Sequence, residues 1–254
     1  MKVGLALSGG GARGFAHLGV LQALVEKGVG VSMISGTSAG AMAGVFYAAG
    51  LAPPDILRIF TETSFIRSLR LATNLRGILR VGILERILLD HMPVRTFEAL
   101  NFPVIVSATN LTLGRTVYFS EGDLIRPVLA SSCIPGLFAP VDMNGQAMID
   151  GGLLNNMPVE PLIGHTDHII GVHTNAYPVD PQITSLRSTI ERSFQLALST
   201  NVMERMRLCH QVIEPSALSR FTVFDMKRAA DIYEIGYDYA MATSFESITK
   251  RLAS

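Results

Sequence analysis

Ser38 stands in Gly36-Thr37-Ser38-Ala39-Gly40, a G-x-S-x-G spacing. Glycines on both sides of such a serine allow one sharp strand-to-helix turn, which leaves the hydroxyl exposed beside a helix N-terminus. The flanking sequence suits that turn: apolar Val31 to Ile34 before it and the small-residue run Ala39 to Ala49 after it. A hydroxyl held this way is a nucleophile for acyl transfer if a base takes its proton and N–H donors await the developing oxyanion. The competing reading is a helix N-cap serine with no chemistry.

The donors have an obvious source. LALSGGGARG, Leu5 to Gly14, places Gly9, Gly11 and Gly14 in a G-x-G-x-x-G spacing after an apolar run. The same spacing marks dinucleotide-binding loops, but those require an acidic residue about 20 positions on, at the end of the second strand, to hold a ribose. Here that place holds Ser35 to Ser38, and the nearest acid, Glu26, lies earlier on the first helix. The amides of Gly9, Gly10, Gly11 and Ala12 are therefore expected to form an oxyanion hole facing Ser38. Arg13, the loop's charge, meets either a phospholipid phosphate or local carbonyls, and the structural role is preferred.

The base is less obvious. None of the histidines (His17, His91, His165, His168, His173, His210) sits in a late loop motif. His17, on the first helix, reads as packed or hydrogen-bonded. The alternative is Asp150, at the end of a short strand and followed by Gly151 and Gly152, which permit close approach of the carboxylate to other groups. Taken alone, Asp-Gly is a turn sequence. In one chain with an elbow and a glycine loop, Asp150 becomes the candidate base.

These residues need a scaffold. Val3 to Ser8, Val31 to Ile34, Pro103 to Ala108, Ala147 to Ile149, His168 to Thr174 and Val212 to Glu214 read as strands. Phe15 to Lys27, Ala39 to Ala49, Ser185 to Leu208 and Ala229 to Arg251 read as helices. Asp55 to Asp90 is helix-like throughout. The rhythm predicts an α/β fold with a mainly parallel central sheet. No repeat or linker interrupts it, so residues 1–254 are expected to form a single domain with a helical cap insertion at about 55–95.

Composition narrows the classes. Apolar residues make up 48% and charged residues 17%, with 21 basic and 21 acidic side chains. A balanced charge argues against a nucleic-acid partner. Cys133 and Cys209 are too few for a disulfide framework and lack metal-ligand spacing. No export signal is expected, since cleavage would destroy the glycine loop, and no apolar run is long enough to span a bilayer. The expected location is cytoplasmic.

In order and completeness, GGGARG (9–14), GTSAG (36–40) and DGG (150–152) resemble the patatin-like phospholipase family, small bacterial members above all. The resemblance extends through ASSCIPGLFAPV (130–141), DGGLLNNMPVEPL and, more loosely, AADIYEIGYDYA. It implies a three-layer α/β/α fold and a Ser38–Asp150 dyad without histidine, metal or cofactor. Gly9, Gly10, Gly11 and Ala12 would supply oxyanion donors, with Arg13, Gly14, Gly36, Gly40, Gly151 and Gly152 as supporting motif positions. The implied reaction is hydrolysis of lipid acyl esters, of phospholipase A, lysophospholipase or esterase type. It requires Asp150 to be desolvated, because an ordinary aspartate, pKa about 3.9, is a weak base at neutral pH. Ser64 to Leu84, with Arg67, Arg70, Arg76 and Arg80 among leucines and isoleucines, suits a lid, a peripheral membrane contact or a packed cap. The alternatives from other classes are a lipid-binding regulatory protein with little turnover and a dinucleotide-dependent oxidoreductase.

Overall fold

Strand β1 (Val3–Leu7) is buried along its whole length, as a strand must be when it has neighbours on both edges and layers on both faces. Its pleat divides the interior. Val3, Leu5 and Leu7 enter one core cluster, whereas Ala6 joins a second with Met157, Leu162 and Ile169. Strand β7 (His168–Val172) splits the same way, Ile170 and Val172 going to the first cluster and Ile169 to the second. Two cores on opposite faces of one sheet make a three-layer α/β/α architecture. The structure is a computed structural model that describes residues 1–62, 82–176, 183, 184, 189, 192, 196, 199 and 201–249.

The remaining strands are β2 (Val31–Thr37), β3 (Val104–Asn110), β4 (Arg115–Phe119), β5 (Val141–Met143), β6 (Gln146–Asp150) and β8 (Gln211–Ile213). The eight-stranded sheet is ordered β5-β6-β3-β2-β1-β7-β8, with β4 also paired to β3. From β3 to β8 the pairs are parallel, while β4, β5 and β6 join antiparallel. The sheet is thus mixed, with the parallel part as its core.

Register fixes where two of these strands end. Strand β2 pairs with β3 through Thr37 opposite Ser107, and β6 pairs with β3 from Asp150 opposite Ala108. Strand β4 occupies the other edge of β3 over Val106 to Asn110. A strand has two edges, so β6 must share its edge with β2. The C-terminal ends of β2 and β6 therefore meet head-on along β3.

The helices are α1 (Phe15–Glu26), α2 (Ala39–Ala48), α3 (Pro53–Glu62), α4 (Gly82–His91), α5 (Ile125–Ser131), α6 (Ala229–Ala242) and α7 (Glu246–Thr249). Helix α2 is made of small residues because it lies tight on the sheet: a Cβ at Gly44 would stand 2.8 Å from Ile34. Helix α3 is amphipathic, burying Ile56 and Phe60 while Arg58 pairs with Asp55 outside. The Arg95 guanidinium donates to the Leu88 and Met92 carbonyls and caps the end of α4.

Two expectations from sequence meet a different outcome. Residues 111–146, to which no element was assigned, contain β4, α5 and β5. The single helix expected over Ala229 to Arg251 breaks after Ala242, where Thr243 is extended. Lys27 Nζ and Gln211 Nε2 donate to the Thr243 and Ser244 carbonyls, and the break sets Phe245 and Ile248 into the core. Residues 64–81 of the basic segment lie outside the described residues, as does half of 185–208, where the described residues 189, 192, 196, 199 and 201–206 are helical. Among the described residues no helix is long and apolar enough to cross a membrane.

Helices α1 and α6 touch backbone to backbone: a Cβ at Gly19 would collide with the Tyr233 carbonyl, and one at Gly236 with that of Ala16. Gly19→Ala or Gly236→Ala gains about 1 kcal/mol of helix propensity but must separate the helices, at a cost of roughly 1–3 kcal/mol. Thermal unfolding should show a lower midpoint for both variants. A midpoint at or above that of the parent chain would contradict the tight crossing.

Candidate active site

Ser38 is the one residue between β2 and α2, and its backbone sits at φ 52°, ψ −119°. Among described non-glycine residues, only Ser38 and Asn144 have positive φ. An L-residue pays roughly 1–3 kcal/mol for such a conformation, which persists only when its surroundings impose it. The flanking glycines show why the turn is so tight. A Cβ on Gly36 would lie 2.7 Å from Ala41 N, and one on Gly40 would strike the Leu7 carbonyl. The turn leaves Ser38 at the N-terminus of α2, beside the first-turn N–H groups and the positive end of the helix dipole.

Asp150 is the last residue of β6, and the head-on meeting of β2 and β6 brings it to Ser38. A Cβ on Gly151 would strike the Ser107 carbonyl, so glycine is required for the chain to turn off the sheet there. The Asp150 carboxylate is buried and accepts the Gly152 N–H at 2.8 Å. Burial is the dominant influence and pushes its pKa from 3.8 up to about 6; contacts with the Ser38 hydroxyl and the Gly152 N–H oppose the rise by favouring the carboxylate. Close by, the Cys133 thiol is pushed up to about 12, first by burial and then by the Asp150 charge. It stays a thiol at neutral pH.

The glycine loop packs directly on the elbow. A Cβ at Gly9 would stand 3.3 Å from Ser38 Cβ and 2.5 Å from Asn156 Oδ1. Its amides divide into two kinds. The Gly9 N–H donates to the Asn156 carbonyl at 3.1 Å and the Ala12 N–H to the Val223 carbonyl at 2.9 Å. The Gly10 and Gly11 N–H groups between them have no protein acceptor among the described residues. Gly11 lies at φ 55°, pressed against the Val223 carbonyl, where an added Cβ would be 2.5 Å from the oxygen. Arg13 turns away from the elbow: Nε donates to the Phe221 carbonyl at 2.8 Å and Nη1 to Asn175 Oδ1 at 3.3 Å.

His17 is fully buried, with Nε2 donating to the Ser8 carbonyl at 2.7 Å. A carbonyl only accepts, so the ring proton is on Nε2. Burial drives its pKa down to about 4 and keeps it neutral. A structural histidine was the expectation.

Ser38 opens onto a cleft of about 830 Å³ of empty volume, part of it open to solvent. Its walls are apolar: Phe15 and Leu18 of α1, Met42 and Ala43 of α2, Ile56 and Phe60 of α3, and Leu84 of α4. Leu137, Phe138, Val223, Phe224 and Met226 complete the lining. Phe60 packs edge-on against Phe15 and Phe46, at centroid distances of 6.2 and 5.7 Å. Sequence reasoning assigned no role to Ser131, Asn156 or the 221–226 turn. Asn156 left a local signal, as one of two adjacent polar residues in the apolar run after the Asp-Gly-Gly, and Ser131 lies in the ASSCIPGLFAPV segment that carries the resemblance.

The chain matches the family model described as patatin-like phospholipase over residues 5–163. It is 36% identical to an uncharacterized NTE family protein of Mycobacterium tuberculosis, over 71% of this chain and 51% of that protein. It is 27% identical to lysophospholipase NTE1 of Kluyveromyces lactis, over 93% of this chain and 19% of that protein. The chain spans about half the length of the mycobacterial relatives it matches, and far less of the yeast one. Among solved structures it shares its fold with VipD from Legionella pneumophila, with a TM-score of 0.56 at 18% identity, over 94% of this chain and 66% of that one. With the model matched across all three motifs of loop, elbow and Asp-Gly-Gly, the chain belongs to the patatin-like phospholipase family.

Proposed function

We propose that this chain is a serine acylhydrolase that cleaves acyl esters of lipids, with Ser38 as nucleophile and Asp150 as its base. The observation that carries the reading is a strained serine beside a buried carboxylate whose pKa is raised to about 6, at the head of an apolar cleft. Membership of a phospholipase family and likeness to a lysophospholipase support lipid esters as the substrate class.

The chemistry follows from the positions. Asp150 takes the Ser38 hydroxyl proton as Oγ bonds to the acyl carbon, and the carbonyl electron pair moves onto oxygen. The Gly10 and Gly11 N–H groups, left open by the loop's own bonding, receive that oxyanion, while the held amides of Gly9 and Ala12 fix the loop's shape. The protonated Asp150 then donates to the departing alcohol oxygen, leaving an acyl-Ser38. Water, deprotonated by Asp150, repeats the sequence and releases the fatty acid. The apolar cleft holds the acyl chain. Since α3 and α4 supply Ile56, Phe60 and Leu84 to its wall, residues 1–254 read as one domain in which these two helices of the insertion at about 55–95 line the acyl site. A lipid-binding regulator without turnover would need neither the strained serine nor the desolvated acid.

A fluorophosphonate probe should label the parent chain at Ser38 and leave Ser38→Ala unlabelled. Hydrolysis of lysophospholipid, phospholipid or p-nitrophenyl esters should fall at least about 10³-fold in that variant. Undiminished labelling or hydrolysis would refute the assignment.

The base must be ionised to act. The kcat/KM profile should therefore rise with pH through about 6 and level off above it. A rate independent of pH between 4.5 and 8 would rule Asp150 out as the titrating base.

Stability runs the other way. Because the folded pKa lies above the unfolded one, Asp150 favours the fold below about pH 4, and that contribution is lost as pH rises through about 6. A shift of this size corresponds to on the order of 3 kcal/mol at pH 8. Asp150→Asn keeps an acceptor for the Gly152 N–H and removes the buried charge. It should abolish turnover yet unfold at higher denaturant concentration than the parent at pH 8, with the gap closing toward pH 4. A destabilised variant at pH 8 would show that the carboxylate is not held at an electrostatic cost.

A further inference from the structure

Helix α5 ends at Ser131, and the turn after it touches both halves of the site. The Ser38 N–H donates to Ser131 Oγ at 2.8 Å, and the Ser131 hydroxyl donates to the Ser107 carbonyl at 2.6 Å. The direction is forced, because an N–H only donates and a carbonyl only accepts, so the one hydroxyl proton goes to Ser107. Two residues on, the Cys133 carbonyl accepts the Asp150 N–H at 2.9 Å. Ser107 is the β3 residue opposite Thr37, and its neighbour Ala108 lies opposite Asp150. The turn 131–133 therefore grips the backbone at the nucleophile, at the base, and at the β3 carbonyl between them. Ser131 and Cys133 are both 0% exposed, so bulk solvent offers no substitute for these bonds.

The elbow explains why such a grip is needed. At φ 52°, Ser38 holds a conformation that relaxes unless neighbouring bonds over-determine it. Its own N–H is anchored by the Ser131 hydroxyl. We infer that Ser131 is a positioning residue, whose hydroxyl ties the Ser38 peptide to β3 and so sets the offset between the nucleophile and Asp150. The inference rests on the dyad proposed above. Ser131 does not line the cleft, whereas its neighbour Ser132 does, so it acts on the rate of chemistry rather than on substrate binding.

The test follows fluorophosphonate labelling and steady-state ester hydrolysis in Ser131→Ala, Ser131→Thr and Ser131→Cys, with the thermal midpoint measured for each. Ser131→Ala should lower kcat and the labelling rate together, by about ten- to a hundredfold, with KM within about twofold of the parent. Ser131→Thr, which keeps the hydroxyl, should recover most of the loss. If Ser131→Ala does not fold, the near-isosteric Ser131→Cys, a weak acceptor, should show the same fall below its midpoint. A folded Ala or Cys variant with parental kcat and labelling rate overturns the inference, as does a loss confined to thermal stability or to KM. If the parent chain itself is not labelled at Ser38, the dyad fails and this inference falls with it. Parental labelling at Ser38 beside equally fast Ser131→Ala labelling sinks this inference alone.

Discussion

Two strands end against each other on one edge of β3, and the site depends on that meeting. Parallel β2 runs up the edge as far as Thr37, and antiparallel β6 comes down it as far as Asp150. Neither can extend further without displacing the other, so each must leave the sheet at the same place. Strand β2 leaves through a serine forced to positive φ, and β6 through glycines that turn beneath the Ser107 carbonyl. Ser38 and Asp150, far apart in the chain, thus come together through sheet register rather than through loops. A one-residue slip in either strand would turn every one of its side chains to the opposite face, and that makes the pairing durable.

The carboxylate is tuned by opposing influences. Exposed to water, Asp150 would titrate near its ordinary value, about 3.9, and accept a hydroxyl proton poorly at neutral pH. Buried with no partner, it would be pushed further up and held protonated, useless as a base. The contacts with Gly152 N–H and the Ser38 hydroxyl pull it back to about 6, mostly ionised at neutral pH yet more basic than an ordinary aspartate, as the proposed role of base requires. His17 shows the opposite outcome of the same burial: its cationic form is disfavoured, its proton is committed to the Ser8 carbonyl, and it serves packing alone.

How much of this was legible in the sequence varies by element, for physical reasons. Strand β1, helices α1 and α2 and the elbow were readable because their signals are local: apolar runs, helical periodicity, and glycines where no Cβ fits. Asp150 was readable only jointly, since Asp-Gly also makes ordinary turns. Strands β4 and β5 carry mixed and exposed burial patterns at the sheet's antiparallel end, so their sequences lack the unbroken apolar character of the centre. The C-terminal helix looked continuous because no proline or glycine marks a stop at residues 243–245, and the bonds from Lys27 and Gln211 that break it come from far along the chain. Ser131 lies in a segment that the resemblance marks, but no sequence signal singles it out, because its hydrogen-bond partners are on β3 and at the elbow.

The glycine loop shows the same limit most sharply. Its G-x-G-x-x-G spacing is common to loops that hold a pyrophosphate and loops that hold an oxyanion, because both tasks need clustered N–H groups that no side chain obstructs. What separates the two is which amides stay open, and here that is decided by carbonyls elsewhere. The Asn156 carbonyl takes the Gly9 N–H and the Val223 carbonyl that of Ala12, while the Phe221 carbonyl holds the Arg13 side chain through Nε–H. Two of those three acceptors lie on the 221–226 turn, beyond the residues matched by the family model. That turn also brings Val223, Phe224 and Met226 to the cleft wall. The segment least marked by motif therefore holds the glycine loop and lines the apolar cleft, so a change in its position would move both together.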